Sequence, residues 1–146
     1  MKIVIASDHA GYQGKEAIKH QLEQQGISVV DLGTNAETSV DYPDYAERVA
    51  EAIAKGEAER GILVCGSGIG MSIAANKIPG IRAALAWNEE TARLSRQHND
   101  ANVVAIGART TEPRVIEQIV NTFLNTEFEG GRHAQRVEKI ANLEKQ

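Results

Sequence analysis

Five short apolar or β-branched runs, Lys2 to Ala6, Ser28 to Asp31, Gly61 to Cys65, Ala83 to Trp87 and Val103 to Ile106, punctuate the chain. Longer stretches between them repeat their apolar positions at helical spacing. Ala17, Ile18, Gln21 and Leu22 share one face before the stop at Gly26, and Tyr45, Val49, Ala52 and Ile53 share another before Gly56. A helix is expected to begin near Ile69, and Glu89 to Gln97 and Pro113 to Leu124 supply two more. Arg132 to Lys145 closes the chain with Val137, Ile140 and Ala141 on one side. Continuous apolar runs alternating with amphipathic helices are the pattern of a parallel sheet covered on both faces. The sequence therefore predicts an α/β fold: a single-domain, Rossmann-like three-layer sandwich with a five-stranded parallel sheet and a C-terminal helix. No repeat or linker divides it, since Glu127 to Gly131 reads only as a short hinge, and residues 1–146 are expected to form one domain.

Composition narrows the function. A chain of 146 residues that is 42% hydrophobic is long enough for one core. Sixteen Lys and Arg against twenty Asp and Glu give 16 − 20 = −4, which argues against nucleic acid or an anionic membrane as partner. An anionic ligand would have to be held by locally placed groups. The single cysteine, Cys65, rules out an internal disulfide and fits a reducing compartment. The apolar run at the N-terminus is too short for a signal peptide and no later stretch would span a bilayer, so a soluble, cytoplasmic protein is expected.

The third strand runs directly into Cys65-Gly66-Ser67-Gly68-Ile69-Gly70-Met71. A helix starting near Ile69 would aim backbone N–H groups at one point, a site for an anion or an oxyanion. The spacing lacks the third glycine of the dinucleotide fingerprint and follows the wrong strand for it. No Walker lysine is present, and Met71 stands where a cysteine phosphatase needs arginine. A lone thiol ending a strand is by default a small core residue. At the carboxyl end of a parallel strand and beside a helix N-terminus, however, a thiolate is stabilised, and that sheet edge is where such folds bind ligands. Asp8 and His9, after the first strand, reach the same edge; otherwise they would form a turn with a helix cap.

His98 sits in a polar segment before the fifth strand, by default a solvated loop position. Arg132 and Arg136, four apart, share a helical face that suits a phosphate dianion or an ion pair with Glu129. Trp87 reads as packing at a strand end, and no ligand set has metal-binding spacing.

Ser7-Asp8-His9-Ala10-Gly11, Asp41-Tyr42-Pro43, Cys65 to Gly70, Ala74-Ala75-Asn76-Lys77, Ser95 to Asp100 and Glu129-Gly130-Gly131-Arg132-His133 together resemble ribose-5-phosphate isomerase type B. The likeness covers nearly the whole chain. It implies interconversion of ribose 5-phosphate and ribulose 5-phosphate, a step of the pentose phosphate pathway. It also implies Cys65 as the base between C1 and C2, with Ser67 and His98 assisting ring opening. His9, Arg109, Arg132 and Arg136 would hold phosphate, and Asp8, Tyr42 and Asn99 the sugar hydroxyls. One branch of the family places glutamate where this chain has Met71 and lacks the cysteine, so the chain falls in the cysteine branch.

That chemistry suits the residues. Isomerisation needs a base within reach of two adjacent carbons and converging N–H donors for the enediolate oxygen. Cys65 and the amides of Gly66, Gly68, Ile69 and Gly70 would supply them, with no redox cofactor and no metal required. Two alternatives stay open: a hexose 6-phosphate such as allose or galactose 6-phosphate as substrate, and a non-catalytic phosphosugar-binding module. One conflict also emerges. Cys65 ends a strand and His98 precedes one, so they belong to opposite sheet edges; with both catalytic, as the resemblance implies, a homodimer with shared sites, or a tetramer, is expected.

Overall fold

The computed structural model describes residues 1–145. Five strands, β1 (Ile3–Ser7), β2 (Val29–Asp31), β3 (Arg60–Cys65), β4 (Ala83–Leu85) and β5 (Val103–Gly107), form one parallel sheet in the order β2-β1-β3-β5-β4. Six helices accompany them: α1 (Tyr12–Gln24), α2 (Tyr42–Ala54), α3 (Ile69–Ala75), α4 (Glu89–Gln97), α5 (Pro113–Asn125) and α6 (Arg132–Asn142).

Alternation along each central strand sorts side chains to the two faces. Ile3 and Ile5 of β1, Ile62 and Val64 of β3, and Val104 and Ile106 of β5 pack with Ile18 and Leu22 of α1, Ala92 of α4 and Ile119 and Phe123 of α5. Val4, Ala6, Leu63, Cys65, Val103 and Ala105 face the other way, onto Ala46, Val49 and Ala50 of α2 and Met71 and Ala75 of α3. This is the three-layer sandwich expected. β1 and β5 are buried throughout because both their faces are covered.

Element ends depart from expectation where local hydrogen bonding wins. The Ala83 run stops at Leu85 instead of Trp87 because Trp87 and Asn88 donate their N–H groups to Thr91 Oγ1, part of the capping box that starts α4. Trp87 is 61% exposed, so it does not pack at the strand end. The last helix ends at Asn142, and Leu143–Lys145 tighten into a 3₁₀ turn. Among the described residues, no helix is long and apolar enough to cross a membrane.

Topology fixes where the site must lie. From β1 the chain passes outward to β2 and then returns to β3 on the opposite side of β1. A crevice opens beyond the carboxyl ends of two strands whose connections leave in opposite directions. Ser7 pairs with Val64 in register, so Asp8 and Cys65 emerge side by side.

Candidate active site

Between the ends of β1 and β3 lies an open cleft of about 630 Å³ lined by Asp8, His9, Tyr42, Cys65, Ser67 and Arg109, with Gly66, Ile69 and Gly70 on its floor. Cys65 is 5% exposed and closes the end of β3. Its Sγ accepts a hydrogen bond from the Gly68 N–H at 3.1 Å. That contact fixes where the sulfur sits at the mouth of the loop. The turn that makes this possible puts Gly68 at φ +80°, where a Cβ would lie 2.9 Å from the Ile106 carbonyl carbon. Only glycine combines that left-handed backbone with so close an approach to β5.

Two of the amides anticipated as oxyanion donors are already engaged. Gly68 N–H points to Cys65 Sγ, and Ile69 N–H donates to Ser67 Oγ at 3.2 Å. Gly68 also turns away from the cleft, toward Leu85 and Ile106, so its part in the site is to shape the turn and to hold the sulfur. Gly66, Ser67 and Gly70 remain as the loop positions from which N–H groups can meet an oxygen. Gly70 serves a steric need as well, since a Cβ there would fall 2.5 Å from the Tyr42 ring. Tyr42 opens α2 directly before Pro43 and lies across this glycine.

The β1 side of the cleft is held by backbone contacts. Asp8 Oδ1 accepts the Gly11 N–H at 2.9 Å, the turn-and-cap role, while the carboxylate still lines the cleft. The turn-and-cap role thus leaves Asp8 at the cleft. His9 Nδ1 accepts the Val40 N–H at 3.1 Å, so a neutral His9 carries its proton on Nε2. Arg109 N–H donates to the Gly66 carbonyl at 2.9 Å, and its guanidinium lies over Gly66, whose Cβ position is 3.5 Å from Nη1. His9 and Arg109 bring donor groups to a cleft that otherwise has no cation, which suits a phosphate.

His98, Asn99, Arg132 and Arg136 are absent from this cleft. His98 caps the end of α4, and the chain then enters β5, where Gly61 at the start of β3 donates to the Asn102 carbonyl. The cleft lies at the other end of β3, roughly 17 Å away at about 3.3 Å per residue. Asn99 borders a separate hollow with Ile140 and Leu143. One grouping was not legible in the sequence: His98, Glu129 and His133 bring nitrogen and oxygen atoms within 4.8 Å of one another. Sequence spacing does not show it, because the hinge before α6 folds back against α4 and brings Glu129 and His133 to His98 across 129 − 98 = 31 and 133 − 98 = 35 positions.

Comparison with known proteins places this architecture. The profile of the Ribose/Galactose Isomerase family matches residues 3–140. Ribose-5-phosphate isomerase B of Escherichia coli is 48% identical over 143 residues, spanning 98% of this chain and 96% of its own. The structure of Clostridium thermocellum ribose-5-phosphate isomerase B superposes with a TM-score of 0.98 at 54% identity, covering 99% of this chain and 98% of that one. Ribose-5-phosphate isomerase B from Mycoplasma genitalium, crystallised with bound ribulose-5-phosphate, gives a TM-score of 0.95 at 44% identity, covering 99% and 97%. Fold and similarity along nearly the whole length agree, and the chain belongs to the ribose/galactose isomerase family.

Proposed function

We propose that the protein is an aldose–ketose isomerase interconverting ribose 5-phosphate and ribulose 5-phosphate through an enediolate. The observation that carries this reading is the Cys65 sulfur set at the end of β3, with an amide aimed at it and further loop amides around the same cleft. After ring opening, Cys65 takes the proton from C2 of the aldose and returns it to C1. The N–H groups of Gly66, Ser67 and Gly70 stabilise the oxygen on which negative charge develops. Met71, fully buried on the core side of α3, has no proton to give or take. Asp8 and Tyr42 face the sugar hydroxyls. His9 and Arg109 hold the phosphate, whose binding energy positions the reacting carbons.

The remaining site residues come from a second copy of the chain. His98 of that copy opens the furanose together with Ser67 of the first chain, Asn99 binds a hydroxyl, and Arg132 and Arg136 complete the phosphate pocket across a two-fold axis. Two features support a homodimer. The two groups of polar residues lie at opposite sheet edges, and the apolar side chains of Ile69, Ile73, Trp87, Ile140 and Leu143 are exposed in the single chain.

The test is Cys65→Ala. Removing the proton carrier should leave binding of the phosphosugar nearly intact and lower turnover by roughly three orders of magnitude or more. Unchanged turnover, or a wild type that exchanges no solvent proton at C2, would reduce the protein to a binding module. A panel of pentose and hexose phosphates assigns the substrate, with ribose 5-phosphate expected to be preferred.

A further inference from the structure

The turn before α6 and the first turn of α6 press two side chains against His98 that the chemistry above leaves without a task. The Glu129 N–H donates to the Gln97 carbonyl at 3.1 Å and ties that turn to the end of α4. The His98 and His133 rings are stacked, with centroids 4.2 Å apart and planes 12° from parallel. One carboxylate oxygen, Glu129 Oε1, lies 3.4 Å from His133 Nε2 and 3.8 Å from His98 Nε2. The His133 side chain is 10% exposed and that of His98 41%, so the stack has an inner and an outer ring.

The segment carrying His98 is built to stay in place. Buried Arg96 donates to the Thr126 and Ala101 carbonyls and to Asp100 Oδ1. Asp100 takes a left-handed φ of 48°, and Arg82 Nε donates to its carbonyl at 2.8 Å. Two imidazoles this close cannot both be charged without strong repulsion. Burial first, and then repulsion from His98, Arg132 and Arg136, holds His133 below the usual histidine range, while Glu129 opposes the shift. The inner ring is thus the wall of the stack, and the outer ring is the one open to a ligand, with Glu129 Oε1 in reach of both.

We infer that Glu129 and His133 are positioning residues that hold the His98 imidazole, through its stacked face and its Nε2 side, ready to donate an Nδ1 proton to the ring oxygen of a furanose substrate. This rests on the reading that His98 acts in ring opening. With Nε2 facing Glu129, the Nδ1 proton passes to ring oxygen O4. The C1–O4 bond breaks with its electron pair going to O4, and the C1 hydroxyl releases its proton to solvent as the carbonyl forms. An acid held by packing against a wall and by a carboxylate behind it is a common way of fixing both tautomer and orientation.

Two assays separate ring opening from proton transfer. Ribulose 5-phosphate has no ring to open, because the oxygen that would close a furanose on C2 is esterified. Deuterium exchange at its C1 in heavy water therefore reads enediolate formation alone, whereas conversion of ribose 5-phosphate also needs the ring-opening step. Glu129→Gln and His133→Asn should each slow conversion about tenfold or more and leave exchange within about twofold of wild type. Glu129 is half exposed, so its variant keeps the fold, which circular dichroism checks. Equal loss in both assays, or loss in neither, overturns the proposal. His98→Ala run alongside tells the two readings apart. If it leaves conversion unchanged, the role of His98 in ring opening falls and the positioning goes with it. If it slows conversion while the Glu129 and His133 variants do not, the positioning alone is wrong.

Discussion

Gly68→Ala isolates what the cysteine loop demands of its backbone. Gly56 and Gly80 also take positive φ, at +76° and +88°, but a Cβ at either meets nothing within 4 Å. Alanine at Gly56 therefore suffers only the left-handed penalty, about 1–2 kcal/mol. At Gly68 the same penalty applies, and the new methyl would lie 2.7 Å from Leu85 Cδ1, 2.9 Å from the Ile106 carbonyl carbon and 3.1 Å from the Gly107 nitrogen. Leu85 can turn aside, but the β5 backbone cannot, and overpacking of this kind adds about 1–3 kcal/mol. The sum, about 2–5 kcal/mol, corresponds to roughly 6–15 °C in Tm for a domain of this size. Relief requires the loop to move off β5, which takes the Gly68 N–H away from Cys65 Sγ. Urea unfolding and isomerase turnover should therefore separate the variants: Gly56→Ala slightly destabilised and fully active, Gly68→Ala more destabilised and slow even where it is fully folded. If Gly68→Ala matches Gly56→Ala in both measurements, the turn does not hold the sulfur as described.

Other outcomes follow from single contacts. Arg132→Ala and Arg136→Ala should each raise KM by about 10- to 150-fold, from a charge-assisted contact of about 1.5–3 kcal/mol, and inorganic phosphate should inhibit both variants less than wild type. Equal inhibition would put the phosphate elsewhere. Burial would raise the Asp31 pKa, but hydrogen bonds from Lys15, Lys19 and the Gly33 N–H outweigh it and hold the carboxyl below its ordinary 3.8. A depressed carboxylate pKa contributes stability that is present above pH 3.8 and is lost as pH falls through the lower folded value. Asp31→Asn should accordingly flatten the acid limb of a stability–pH curve below pH 3.8, and should cost about 3 kcal/mol at neutral pH because Lys15 is fully buried. An unchanged acid limb would show that Asp31 is not the group responsible. Gly70→Ala should act on substrate binding more than on stability, since the Tyr42 ring it displaces is 41% exposed and free to move.

The layered sheet was legible because β1, β3 and β5 are buried on both faces and so carry unbroken apolar runs. The Cys65 loop was legible because it packs glycines directly after such a run. Residues whose roles depend on contacts between distant segments were not. Nothing in the spacing of His98, Glu129 and His133 shows that the hinge before α6 folds back on α4. An aromatic at a strand end looks like core, and Trp87 proves exposed because the α4 cap pulls its backbone out of the sheet. Nor do glycines in a loop reveal which N–H groups remain free, since Cys65 and Ser67 engage two of them locally. Strand direction alone, by contrast, was enough to set Cys65 and His98 at opposite edges.

The central claim, a Cys65-based isomerase whose site is shared between two chains, is tested most directly by mixing two inactive variants. Cys65→Ala and His98→Ala are combined in equal amounts and allowed to exchange subunits, with exchange followed by mass spectrometry of the intact dimers. Every mixed dimer then contains one site with both residues intact and one with neither. Half the dimers are mixed, so about a quarter of wild-type turnover should return. Turnover that stays at the level of the separate variants, despite complete exchange, would mean that the site is not shared between chains.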